Sequence, residues 1–286
     1  MPATRTITES RVAALHVTEW AGRGSGAQVV IGLPGLGSTG RSWSAVAEGL
    51  PDARFIAPDL RGRGQSVRLG GPSGLAQHAL DVLQVAEELA LDDITIVGHS
   101  MGAYLSPLVA RELGARVRKI VMIDGGVPPE LPFYFTKGFT RLSFKMNLKK
   151  LDREWPDVET FLKAGRVSKM LKGREDMMPV VREWARFELT GEPGHLRAGI
   201  DPELASADAV DTFFGGVVEP ALDALTVPAH VLAATHKLGT TDKPFISSEQ
   251  LATWTKRQPL ITTEVVEANH FTLLFAPEVT RAVGGA

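Results

Sequence analysis

The segment Ile94-Thr95-Ile96-Val97-Gly98-His99-Ser100-Met101-Gly102 constrains this chain more than any other. A short apolar run of β type leads into it, and Tyr104 to Leu113 reads as a helix leading out. In that setting Gly-x-Ser-x-Gly is a tight strand-to-helix turn, the nucleophile elbow. It forces the serine into a strained backbone conformation and lifts its hydroxyl above the sheet. Side chains at 98 and 102 would collide with the neighbouring strand and helix, so glycine is needed at both. The turn also aims a helix N-terminus at the serine, where the N–H of Met101 can stabilise an oxyanion.

The text around this turn alternates strand with helix. Thr4 to Thr8 and Val12 to Val17 alternate as a hairpin pair would, ahead of a glycine-rich turn. Val29 to Leu33 is a continuous apolar run, as a central parallel strand requires. A helix is predicted from about Ser42 to Leu50, a strand over Arg54 to Pro58, an amphipathic helix over Leu75 to Leu89, and a buried strand over Val117 to Ile123. The pattern then pauses. Residues 128–224 read as helical, with proline and glycine breaks and no clear strand; Phe139, Leu142 and Met146 form one apolar stripe, and Val180, Trp184 and Phe187 another. Strand signals resume at His230 to Ala234 and at Leu260 to Val266, with helices around Ser248 to Lys256 and from Pro277. The expectation is a doubly wound α/β core in two parts, residues 1–127 and 225–286, around an inserted helical cap at 128–224.

Composition bounds the remaining choices. With 286 residues the chain can bury a full core. A net charge of −2 supplies no field for nucleic acid. No cysteine is present, which removes disulfides, thiol nucleophiles and thiolate metal sites. Polar residues follow Met1-Pro2-Ala3-Thr4, so no secretory signal is expected, and no apolar run approaches a membrane span. A cytoplasmic protein without stable membrane insertion, acting on a small molecule, is the expectation; oligomeric state is not legible.

Pro34-Gly35-Leu36-Gly37, Asp59-Leu60-Arg61-Gly62-Arg63-Gly64-Gln65-Ser66, Gly98-His99-Ser100-Met101-Gly102 and Asn269-His270-Phe271 together resemble the α/β-hydrolase family, in its serine-nucleophile, esterase- or lipase-like branch. The resemblance covers nearly the whole chain outside the insertion. It implies a mostly parallel eight-stranded sheet, Ser100 as nucleophile, and His270 in the loop after the last strand as general base. A serine hydroxyl needs such a base within hydrogen-bond reach. Among the seven histidines, His236 at a strand end is the competitor. The family places its acid after either of two strands. Asp124 ends the strand before the insertion; the strand after it has no aspartate at its end, and Asp242 several residues on is the alternative, ahead of Glu267. By the same resemblance the second oxyanion donor is the N–H of Leu36. Pro34 stands where the family often has histidine, removing a side-chain bond that braces the loop. Arg61 and Arg63 are assigned no catalysis and could pair with carboxylates elsewhere.

Pro132-Phe133-Tyr134-Phe135 and Phe139 supply large apolar groups near the carboxyl edge of the sheet, where ligands of such sheets bind. They are the candidate substrate contacts. Lys137, Arg141, Lys145, Lys149 and Lys150 make the same helix basic, as a solvated face or a contact with lipid would be. The implied reaction is hydrolysis of a carboxylic ester through an acyl-enzyme, with no metal or cofactor. Lactone or amide hydrolysis, C–C cleavage, perhydrolysis and acyl transfer can run on the same residues, and a ligand-binding protein can share the fold.

Overall fold

The computed structural model describes residues 5–24, 26–128, 130–131, 133–151, 153–236 and 244–285. β1 (Ile7–Val12) and β2 (Leu15–Trp20) form the first hairpin, with Val12 opposite Leu15. Both strands lie about three residues later than their alternation suggested. All of β1 except Val12 is exposed, so no core sorts its side chains by face and its pattern carried no register. β3 (Val29–Leu33) is the central run expected. The helix expected over 42–50 is divided into a 3-10 turn at Gly40–Trp43 and α1 (Ser44–Glu48). There Gly40 donates its N–H to the Asp59 carboxylate at 2.8 Å, which pins the entry to the turn.

β4 (Arg54–Asp59), α2 (Leu75–Glu88), β5 (Ile94–His99), α3 (Met101–Leu113) and β6 (Val117–Ile123) continue the alternation. The chain then leaves the sheet and returns at Ala229. In between stand α4 (Lys137–Lys149), β7 (Glu154–Trp155), α5 (Val158–Ala164), α6 (Val167–Met170), α7 (Met178–Glu188), β8 (Leu189–Thr190), β9 (Leu196–Ala198), α8 (Pro202–Phe214) and α9 (Val218–Asp223). Thr136, Asp157 and Asp201 cap α4, α5 and α8 by accepting backbone N–H groups. The small antiparallel sheet β7-β9-β8 corrects the expectation of a strand-free segment. Strands of two or three residues are too short to leave a period-two pattern.

β10 (Ala229–Ala234), α10 (Ser248–Arg257), β11 (Ile261–Val266) and α11 (Pro277–Gly284) complete the core. The eight strands run in the order β1-β2-β4-β3-β5-β6-β10-β11. β2 is antiparallel to both neighbours, and the six from β4 to β11 are parallel. Alternate residues feed opposite cores: Ile31, Ile96 and Met122 pack under α2 and α3, while Val30, Val97 and Val121 pack on the side of α1 and α11. Both faces are therefore buried, which is why the central strands read as unbroken apolar runs. The carboxyl ends of β5, β6 and β11 converge on one edge, and Ser100, Asp124 and His270 follow them there. Among the described residues no helix is long and apolar enough to cross a membrane.

Candidate active site

Ser100 is the residue between β5 and α3, with φ 53 and ψ −119. A positive φ is costly for a residue with a side chain, and the surroundings over-determine it. The Ser100 N–H donates to the Ile123 carbonyl at 3.0 Å, while its own carbonyl accepts from Ala103 and Tyr104. A Cβ at Gly98 would stand 2.2 Å from the Gly102 carbonyl oxygen, and one at Gly102 would stand 2.0 Å from that of Leu33. Only glycine permits this approach of strand to helix. The helix begins at Met101 rather than Tyr104, directly at the serine.

Asp124 follows β6 at φ 42 and is fully buried. One carboxylate oxygen accepts the Ala234 N–H at 3.1 Å; the other meets Nδ1 of His270 at 2.6 Å. A carboxylate only accepts, so Nδ1 carries the hydrogen and Nε2 keeps its lone pair. His99 holds the other side of His270. Burial and repulsion from His270 lower His99 to about 3, so its ring is neutral, and its Nε2 donates to the His270 carbonyl at 2.9 Å. Phe245 packs edge-on against the His270 ring, centroids 5.4 Å apart. The competing histidine is elsewhere: His236 is exposed and paired with Glu267 at 2.6 Å. Asp242 lies outside the described residues.

The loop after β3 is braced by Arg63, which the sequence marked only as able to pair with a carboxylate elsewhere. Arg63 is almost fully buried. Its Nε donates to the Leu36 carbonyl at 2.9 Å, one Nη donates to the Arg61 carbonyl at 2.8 Å, and the other lies 3.8 Å from the Met101 sulfur. One guanidinium thus touches both residues whose N–H groups are the expected oxyanion donors, at the Leu36 carbonyl and the Met101 sulfur. Its charge is met by Asp208 of α8, which also accepts from His78 at 3.0 Å and from the Gly74 N–H at 2.6 Å. Burial raises the Asp208 carboxyl, but the hydrogen bond to His78 and the charges of Arg63 and His78 prevail and hold it at about 2. Arg61 instead forms a two-pronged pair with Asp81 at 2.9 and 2.8 Å. Asp59 shapes its loop by accepting the N–H groups of Gly40 and Gln65.

Ser100 and His270 line one cavity of about 480 Å³, within the range of small-molecule sites. Leu36, Phe144, Leu148, Leu162, Trp184 and Phe271 give it a largely apolar wall. The expected contacts Phe133, Tyr134, Phe135 and Phe139 are not in that wall, which corrects the sequence reading. Phe133 is 97% exposed, and Tyr134 and Phe139 also face outward, while Phe135 packs on Phe213. The reason is helical phase. Ser143, Phe144, Asn147 and Leu148 are the residues of α4 that reach the cavity, and at about 100° per residue they turn Phe139 away from it. Glu188, at the end of α7, is the one acid in the wall among the described residues. Loss of hydration, then the charge of Asp59, pushes its carboxyl up to about 8, and Thr39 donates to it at 3.3 Å. No sequence signal marked Glu188, since glutamate at a helix end is unremarkable.

Comparison with known proteins gives concordant results. A family model described as the alpha/beta hydrolase family matches residues 30–283. The dihydrolipoyllysine-residue acetyltransferase component of the acetoin cleaving system of Cupriavidus necator is 32% identical over 156 residues, 53% of this chain and 40% of that protein. A putative carbamate hydrolase of Caulobacter vibrioides is 31% identical over 128 residues, 44% of this chain and 48% of that protein. The matched stretches thus span less than half the length of these relatives. Among solved structures, E-2-(acetamidomethylene)succinate hydrolase superposes with a TM-score of 0.76 at 21% identity, covering 99% of this chain and 100% of its own. At that identity the likeness is one of fold.

Proposed function

The chain belongs to the alpha/beta hydrolase family, and on that footing we propose that it is a serine hydrolase cleaving a carboxylic ester of a largely apolar small molecule. The observation that carries this reading is the 2.6 Å bond between buried Asp124 and Nδ1 of His270, whose side chain lines the same cavity as Ser100. Ser100 Oγ attacks the ester carbonyl as His270 Nε2 takes its proton. The carbonyl oxygen becomes an oxyanion, held by the N–H groups of Leu36 and Met101. Asp124 fixes the imidazole tautomer and stabilises the imidazolium. The alcohol leaves with the proton from His270; water, deprotonated by the same nitrogen, then releases the acid and restores the serine. Each step uses side chains and backbone of this chain. The apolar wall favours an acyl chain or ring, shielded from water by the segment between β6 and β10. The family relatives named as hydrolases support bond hydrolysis in general, and the cavity wall supports the apolar substrate.

A fluorophosphonate probe tests the reading directly. Rapid labelling located on Ser100 by peptide mass, and abolished in His270→Ala, is the expected result. A panel of aryl esters of increasing chain length then reads the pocket. Absence of labelling in a folded protein, or undiminished esterase turnover in Ser100→Ala, would refute the assignment.

A further inference from the structure

The outward face of α4 and the residues before it carry large apolar groups that neither the core nor the cavity uses. Phe139, Leu142 and Met146 are 48%, 59% and 57% exposed. At 100° per residue they fall within about 60° of helical arc, turned away from the cavity residues Ser143, Phe144, Asn147 and Leu148. Phe133 and Tyr134 extend the strip: the Phe133 and Tyr134 rings meet edge-on at 5.5 Å, and those of Tyr134 and Phe139 at 6.4 Å. An exposed apolar strip of this kind marks an interaction surface.

The charges beside the strip say what it fits. Residues 137–150 contain Lys137, Arg141, Lys145, Lys149 and Lys150 and no acidic residue. By the same helical count Lys145 and Lys149 border the apolar stripe on one side and Lys150 on the other. Glu203 of α8 pairs with Lys145 and lies 3.9 Å from Arg141, which leaves the face net positive. A second copy of this chain would set this face against itself across a twofold axis, cation on cation. An anionic bilayer complements it instead. Phenylalanine, tyrosine, leucine and methionine enter the headgroup boundary while lysines reach lipid phosphates.

We propose that this face of α4, with Phe133 and Tyr134, docks reversibly on an anionic lipid surface. Docking is peripheral: the helix lies in the plane of the interface and does not cross the membrane. The proposal is independent of ester hydrolysis, because vesicle binding contains no turnover.

The test is co-sedimentation of the full chain with vesicles of phosphatidylcholine alone and of phosphatidylcholine mixed with phosphatidylglycerol. The protein is expected to bind the anionic vesicles and not the neutral ones, with binding falling as salt rises. Lys149→Gln/Lys150→Gln should weaken binding by roughly fivefold for each lysine removed. Leu142→Ser/Met146→Ser should weaken it by at least about tenfold. Both variants change exposed side chains only, so thermal stability and fluorophosphonate labelling should match the parent protein. No binding to anionic vesicles by the parent chain, or equal binding by the variants, would overturn the proposal. So would a dimer in sedimentation that Leu142→Ser/Met146→Ser dissolves, which assigns the face to a second copy.

Discussion

Replacing Asp208 with asparagine should destabilise the protein far more than a change of one atom suggests. The Arg63 guanidinium and the Asp208 carboxylate are both enclosed, 1% and 0% exposed, and the substitution leaves the arginine charge buried without its counter-ion. Breaking such a pair from one side costs about 3–5 kcal/mol. A second route gives a similar size. A carboxyl titrating at about 2 in the fold and at 3.8 in the open chain favours the fold by about 2–3 kcal/mol at neutral pH. Its folded value is the lower one, so this stabilisation is present above about pH 4 and is lost as pH falls through about 2. Urea unfolding at neutral pH should show a loss of about 3 kcal/mol in Asp208→Asn, or a melting point lower by about 5–10 °C. The gap between variant and parent should narrow on acidification. Turnover of the remaining folded protein should fall as well, because Arg63 braces the Leu36 carbonyl. A loss under about 1 kcal/mol, or a gap that stays constant in acid, would refute the reasoning.

Two further outcomes follow from the site. Asp124→Asn should cut ester turnover by about three to four orders of magnitude through the wrong imidazole tautomer, with the melting point nearly kept; near-normal turnover would transfer the acid's role elsewhere. Glu188 titrates higher in the fold, at about 8, than in the open chain at 4.5, so its contribution is complete below about pH 4.5 and is lost as pH rises through 8. Glu188→Gln should therefore be more stable than the parent at about pH 9, by roughly 2 kcal/mol once screening by cavity water is allowed for, and two parallel curves of melting point against pH would count against it.

The central strands and the glycines of the elbow were legible because each answers to a local rule. Val29–Leu33 and Val117–Ile123 are buried on both faces, so their apolar runs are continuous and their limits sharp. Gly98 and Gly102 are demanded by backbone contacts within one turn of the chain. Asp124 was legible as a strand-end aspartate, and His270 from the loop it occupies. What sequence did not give was phase and partnership across the insertion. Phe139 lies on a helix with apolar residues on two faces, and only packing decides which face turns inward. Arg63 and Glu188 depend on contacts with Asp208, Leu36 and Asp59 that are distant in the chain, and a charged residue by itself names no partner.

The insertion departs and returns between hydrogen-bonded neighbours. β6 and β10 lie side by side, Ile120 opposite Ala229, with the inserted residues 128–224 strung between them and Asp124 left on the core side of the join. A segment so attached can be exchanged as a block in descent or in the laboratory without recutting the sheet. The bond between Asp124 and His270 and the turn around Ser100 would survive the exchange, since their backbone supports come from the core strands. Arg63 would not survive it alone, because its counter-ion travels with α8. Position 63 and the helix at 202–214 must therefore be changed together. A chimaera with a foreign insertion needs either a new acid delivered over the β3 loop or an apolar residue in place of Arg63.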